Sequence, residues 1–258
     1  MLTLWPSLGG AEYKNTEGAV LTPEPLTEHV YRIDAGALGI YLIALPQNLV
    51  LVDAGFPGTM RLVAEALEEL GREPSEVTDI VLTHAHPDHA AGLAEIVEVT
   101  GAQAWMHADD AALVRAGRAY RPWTVAPGDH NRLFAEQVIK NSPTTYEPVP
   151  VDHDIVPGQT IDVAGGMRAI GTPGHTAGHL VYLWERDGGV LFVGDAAKNE
   201  TCLEPATIYE DFAQGLEDLT MIADLDFEVA CFAHGAPIIG GASLQFRRLR
   251  DDNGHCSA

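Results

Sequence analysis

The segment Thr83-His84-Ala85-His86-Pro87-Asp88-His89 sets three imidazoles and a carboxylate close together, directly after the apolar run Ile80–Leu82. Imidazole nitrogens with carboxylate oxygens are the donor set that Zn2+, Fe2+ and Mn2+ accept. Pro87 pushes His86 toward an extended backbone, and in an extended stretch residues two apart project to one side. His84 and His86 are therefore placed to grip one ion. Beyond Pro87 the chain is free to turn into a helix, which aims Asp88 and His89 at a neighbouring point. Three further donors share the same placement. His175 closes Gly171-Thr172-Pro173-Gly174-His175 after the run ending at Ile170, Asp195 follows Leu191–Val193 through Gly194, and His234 follows the run ending at Phe232. A lone histidine at any of these places is more often structural. A shared position just past a strand, where the loops of an α/β fold converge on one face, points to a single site.

The elements that must carry these loops are legible as short apolar or β-branched runs. Strands are expected at His29–Ile33, Ile40–Leu45, Leu49–Val52, Asp79–Leu82, Ala102–Met106, Gln159–Val163, Met167–Ile170, Leu180–Trp184, Val190–Val193 and Val229–Phe232. Apolar residues at helical spacing predict helices over Thr59–Leu70, Leu93–Val99, Phe212–Ala223 and Ala242–Arg250. Strand meanders mixed with βα units in two halves suggest a layered α/β sandwich. Residues 109–148 differ, with Tyr120, Pro122, Trp123, Pro127, Gly128, Phe134 and Pro143 among polar residues. They read as a lid or insertion over a cleft, or as a plain surface excursion.

With 258 residues and 46% hydrophobic content, the chain supports one large core, and residues 1–258 are read as a single domain. No apolar run approaches the ~18 residues of a membrane span, and Met1–Gly10 lacks the pattern of a signal peptide. A soluble, cytoplasmic protein is the expectation. Three widely spaced cysteines, Cys202, Cys231 and Cys256, are read as free thiols in a reducing compartment. The net charge of −22 repels phosphate backbones, so nucleic acid is excluded as a partner. Scarce lysine (Lys14, Lys140 and Lys198) beside excess carboxylate fits either a halophilic protein or an ordinary acidic enzyme. The expected partner is a small-molecule substrate, with a homodimer left open.

THAHPDH, GTPGHTAGH, GDA and AHG, in this order, resemble the metallo-β-lactamase superfamily over about 30–240, and the first two motifs are highly specific. The resemblance implies an αββα four-layer sandwich and two divalent metal ions, zinc first and iron or manganese as alternatives. It assigns His84, His86 and His175 to metal 1, Asp88, His89 and His234 to metal 2, and Asp195 to the bridge between them. Asp53 matches a position that supports the metal loop through hydrogen bonds. His179 belongs to the local pattern as a supporting or structural residue. His107, His130 and His153 are read as surface residues, and His29 and His255 carry no signal.

The implied reaction is hydrolysis, with a metal-bridging hydroxide attacking a carbonyl. Asp88 would orient it and return a proton to the leaving group. The bridging Asp195 separates the chain from dedicated zinc β-lactamases, and GTPGHTAGHL is most similar to the lactonase and glyoxalase II-like branches. A small ester, a lactone of the quorum-quenching type above all, is the expected substrate. Many such lactonases place a tyrosine three residues after the bridging aspartate, where this chain has Lys198, read here as substrate-binding. The glyoxalase II branch carries basic residues in a C-terminal extension, whereas only Arg247, Arg248 and Arg250 follow His234 here. The alternatives are a hydroxyacylglutathione-type thioesterase and an iron-dependent persulfide dioxygenase. Flavodiiron proteins usually carry glutamate in place of His86.

Overall fold

The computed structural model describes residues 22–36, 38–137 and 139–252. Met1–Gly10, Lys14, His255 and Cys256 lie outside the described residues. Two sheets stack face to face. The seven-stranded sheet runs Glu24–Pro25, Val30–Asp34, Gly39–Ala44, Leu49–Val52, Val77–Val81, Gln103–His107 and His153–Ile155, antiparallel in its first half and parallel from Leu49–Val52 onward. The six-stranded sheet runs Ile238–Ile239, Val229–Phe232, Val190–Gly194, Leu180–Trp184, Met167–Gly171 and Thr160–Ile161.

The strands that read as unbroken apolar runs are buried on both faces, and the two-residue period sorts their side chains into layers. Tyr41, Ile43, Val50 and Val52 pack against Leu180, Tyr182, Trp184 and Phe192 between the sheets. Ile40, Leu42, Leu49 and Leu51 point the other way, onto the helices Thr59–Glu69 and Leu93–Thr100. Val181, Leu183, Leu191 and Val193 likewise meet the helices Phe212–Ala223 and Ala242–Asp251. The α/β class and its αββα layering are thus present as expected.

Differences from the sequence reading fall at element ends, in the excursion and at short strands with no apolar run of their own, such as Glu24–Pro25, His153–Ile155, Ala197–Asn199 and Leu203–Pro205. The strand expected over Gln159–Val163 is only Thr160–Ile161, because Ala164, Gly165 and Gly166 turn with positive φ. Residues 109–148 contain most of the helix Ala108–Arg115, the helix Asp129–Gln137 and the short strand Thr124–Val125, which pairs with Ile208–Tyr209. Free thiols were expected throughout. Cys231 is free and buried, but Cys202 is disulfide-bonded. A count of three leaves room for one pair, which wide spacing alone does not forbid, so cysteine usage no longer argues for a reducing compartment. Among the described residues no helix is long and apolar enough to cross a membrane.

Candidate metal centre

All seven proposed ligands sit at the C-terminal ends of strands or just beyond them. Thr83 and His84 follow the Val77–Val81 strand, and His86 caps the single-turn helix Pro87–Ala90 with an extended backbone (φ −63°, ψ 153°). The proline thus sets the conformation expected of it and swings Asp88 and His89 to the second position. His175 follows the Met167–Gly171 strand, Asp195 follows Val190–Gly194, and His234 follows Val229–Phe232. Gly235 holds φ 103°, and a Cβ there would lie 2.0 Å from the Asn199 carbonyl oxygen, so only glycine lets the chain leave His234 at this angle.

The structure brings the seven together as two clusters, His84–His86–His175–Asp195 and Asp88–His89–His234–Asp195. In the first, His175 Nε2 lies 3.2 Å from His84 Nε2 and 3.0 Å from His86 Nδ1. His175 Nδ1 faces the Ile208 carbonyl at 2.8 Å and must donate to it, which leaves a lone pair on Nε2. Burial, together with the neighbouring imidazoles, holds His84 and His86 well below the usual histidine range, and burial also lowers His175. These are neutral imidazoles converging on one point, as metal ligation requires. Ligand atoms bound tetrahedrally at ~2.0–2.1 Å stand roughly 3.3 Å apart, close to the spacings seen.

The second cluster holds charge of both signs. Asp195 Oδ1 is 3.3 Å from His89 Nε2 and 3.4 Å from His234 Nε2, and Asp88 Oδ2 is 3.2 Å from His234 Nε2. Burial opposes charge on His234, but Asp195 and Asp88 outweigh it and push it up to about 10. Burial opposes charge on Asp88 too, yet His89 and His234 bring it down to about 2. Even so, His89 Nε2 and Asp195 Oδ1 make no hydrogen bond of proper geometry although both are buried. A divalent cation satisfies both atoms and displaces the protons that otherwise balance the carboxylates. The donor set fits two divalent cations, with Asp195 facing both clusters: its Oδ2 lies 3.4 Å from His175 Nε2.

The other singled-out residues are placed as follows. Asp53 Oδ2 is 2.9 Å from His89 Nδ1, and its Oδ1 accepts from the Thr83 amide at 2.8 Å. His179 Nε2 accepts from the Asp195 amide at 3.0 Å, and its Nδ1 is 2.7 Å from Thr172 Oγ1. Lys198 lines the cavity in front of the ligands. Its ammonium, however, is met by Thr207 Oγ1 at 3.2 Å, Glu204 at 3.5 Å and Glu200 at 3.6 Å. That cavity measures about 230 Å3, and Tyr120, Phe134, Ile139 and Ser142 from the 109–148 excursion form part of its wall.

Residues 40–234 match the metallo-beta-lactamase superfamily. The chain belongs to that superfamily. Among curated relatives, it is 27% identical over 243 residues to "Probable metallo-hydrolase YflN" of Bacillus subtilis, covering 82% of this chain and 85% of that one. It is also 27% identical over 242 residues to the lactamase-like protein aptB of Emericella nidulans, covering 90% of this chain. The chain spans only 63% of the length of that fungal relative. Among solved structures of the superfamily, BJP-1 of Bradyrhizobium japonicum, a subclass B3 metallo-beta-lactamase, superposes with a TM-score of 0.66 at 24% identity. It covers 91% of this chain and 92% of its own, a likeness of fold.

Some supports of this candidate centre carried no sequence signal. Asp218, on the Phe212–Ala223 helix, accepts from the Gly174 amide at 2.7 Å, just before His175. Tyr120 lies against His86 with ring centroids 4.7 Å apart, and burial pushes its phenol well above the usual tyrosine range, so it stays protonated. Asp110 is fully buried beside the ligand loops. Each comes from an element remote in sequence from the motif it serves, and no local spacing reveals such a pairing.

Proposed function

We propose that this chain is a dinuclear metal-dependent hydrolase acting on a small carbonyl ester, a lactone first among them. The observation that carries the reading is Asp195, one carboxylate shared by two clusters of donors at the floor of a small, largely apolar cavity. Two bound divalent cations, zinc in this reading, supply Lewis acidity and bring the pKa of water toward neutrality. Asp88 faces the cavity beside His234 and is positioned to hold a proton in transit to a leaving oxygen. Tyr120, kept protonated, offers a hydrogen bond at the same wall.

Phe56, Phe134, Ile139, Ala206 and Ile208 give the cavity an apolar lining suited to an alkyl group. Phosphodiesters fit this lining poorly, as they do the overall charge of −22. Protein purified without chelator should contain close to two zinc ions per chain and cleave lactones faster than thioesters or phosphodiesters in a common panel. One iron per chain with oxygen consumed on a persulfide would replace the hydrolase reading. Thioester cleavage alone would keep the centre and change the substrate to the glyoxalase II type.

Lys198 is proposed to touch substrate, but as a partner for a neutral acceptor. Two carboxylates already surround its one ammonium, so a substrate carboxylate arriving there gains little. A charge-assisted hydrogen bond contributes about 1.5–3 kcal/mol, so Lys198→Met should raise KM for a neutral lactone by about 10–150-fold with kcat little changed. An unchanged KM in steady-state kinetics would leave Lys198 as cavity wall only.

A further inference from the structure

Asp110 lies in the first turn of the Ala108–Arg115 helix, 0% exposed, and among the described residues its carboxylate bonds only to segments that carry candidate metal ligands and to one arginine. Oδ2 accepts from the Ala85 amide at 2.9 Å and from Thr176 Oγ1 at 2.8 Å. Oδ1 accepts from the Gly178 amide at 3.1 Å and from Arg121 at 2.7 Å. Ala85 stands between His84 and His86, and Thr176 directly follows His175. One carboxylate oxygen therefore joins the two loops that supply the three imidazoles of the first cluster.

The fit leaves no slack. A Cβ at Gly178 would lie 2.5 Å from Asp110 Oδ1, so the loop after His175 approaches the carboxylate as closely as glycine allows. Tyr146 donates to the Ala85 carbonyl at 2.8 Å, which fixes the same residue through its following peptide group. Arg121 extends the brace by reaching Glu210 at 2.8 Å. Glu210 in turn accepts from the Ala177 amide at 3.0 Å and donates its own amide to the His175 carbonyl at 3.0 Å. Asp110, Arg121 and Tyr146 all belong to the 109–148 excursion, which thereby does more than cover the cavity.

We infer that Asp110 is a positioning residue: it sets the separation of the His84–His86 loop from the His175 loop and so fixes the geometry of the first metal cluster. The inference rests on the metal-binding reading of that cluster and is independent of the substrate. Hydrogen-bonding partners that orient metal ligands are worth about 10–100-fold in metal affinity. An amide at position 110 presents protons to a site that already holds donors from Ala85, Thr176, Gly178 and Arg121, so the brace opens. Thr176→Val removes one hydroxyl donor beside His175 and leaves the Asp110–Arg121 pair intact.

Zinc affinity would be measured by competition with a chromophoric chelator for wild type, Asp110→Asn and Thr176→Val. Cobalt-substituted samples report ligand geometry through their visible bands, and melting of the metal-free proteins controls for folding. The expected result is zinc bound about 10–100-fold more weakly by Asp110→Asn, a smaller loss in the same direction for Thr176→Val, and altered cobalt bands in both. Wild-type affinity and unchanged cobalt bands in both variants would overturn the positioning role while leaving the hydrolase reading intact. An Asp110→Asn chain that unfolds without metal, beside a Thr176→Val chain that binds zinc as wild type does, would overturn it too and make the brace purely structural. A wild-type chain that takes up no zinc or cobalt would overturn the metal reading and this inference together.

Discussion

Asp195→Ala should lower turnover by several orders of magnitude while the fold persists. Among the described residues the side chain is the only donor shared by both clusters: Oδ1 faces His89 and His234, and Oδ2 faces His175. Removing it leaves three imidazoles at one position and Asp88, His89 and His234 at the other, with no carboxylate to hold two cations at a fixed separation. The Asp195 amide still donates to His179, and the adjacent Val190–Gly194 strand is bonded on both sides, so the backbone there has no cause to move. Removing a buried negative charge also ends its interactions with His89 and His234, which are raised above the usual histidine range in its presence. Metal content by elemental analysis should therefore fall below two per chain, with far-ultraviolet dichroism unchanged. A variant that keeps two metals and near-normal turnover would show that the bridge belongs elsewhere.

The gathering of these donors into two clusters was legible in the sequence because the candidate ligands are local in two senses. THAHPDH packs four donors into one strand–turn–helix unit, and Pro87 dictates the turn by sterics that need no tertiary context. Each remaining candidate ligand lies beyond an apolar run. Met167–Gly171, Val190–Gly194 and Val229–Phe232 run in one direction, the first two through the antiparallel Leu180–Trp184 between them, so their ends deliver the donors to one edge. The sandwich was legible for a related reason: strands buried on both faces cannot alternate polar residues, and runs such as Leu49–Val52 and Val190–Val193 do not.

The remainder depends on pairing across long separations. Nothing near Asp110 marks it as the acceptor for Ala85 and Thr176, and nothing near Asp218 points to Gly174. Lys198 stands out in the sequence by its place three residues after Asp195. Its environment is set by Glu204, its cross-strand neighbour in a hairpin with Leu203–Pro205 too short to announce itself. The cysteine reading failed at Cys202 because spacing constrains pairing only within short loops.

Asp53 separates the contribution of a hydrogen bond from that of a charge. It holds φ 63°, a left-handed conformation that aspartate tolerates better than most residues, and its amide donates to the Val81 carbonyl at 2.9 Å. This turn presents the carboxylate to the Thr83 amide, the Thr83 hydroxyl and His89 Nδ1 together. Accepting from Nδ1–H puts the imidazole lone pair on Nε2, the atom that faces Asp195 and Asp88. Asp53→Ala leaves a buried amide and a buried ring nitrogen unsatisfied, a loss of about 1–3 kcal/mol in stability for each orphaned group. Asp53→Asn is the more telling change, since it keeps the shape. If its amide oxygen serves Thr83, its NH2 group donates to His89 Nδ1, and the ring proton moves to Nε2, where it blocks ligation. If the amide flips, the same NH2 meets the Thr83 amide donor, and the loop that carries His84 shifts instead. Either way, zinc at the His89 position should bind about 10–100-fold more weakly, while Asp53→Asn melts closer to wild type than Asp53→Ala does. Zinc titration against a chelator, read beside thermal melts of both variants, tests this. Two zinc ions held with wild-type affinity by Asp53→Asn would mean that His89 keeps its tautomer without Asp53, and that the carboxylate serves only the turn.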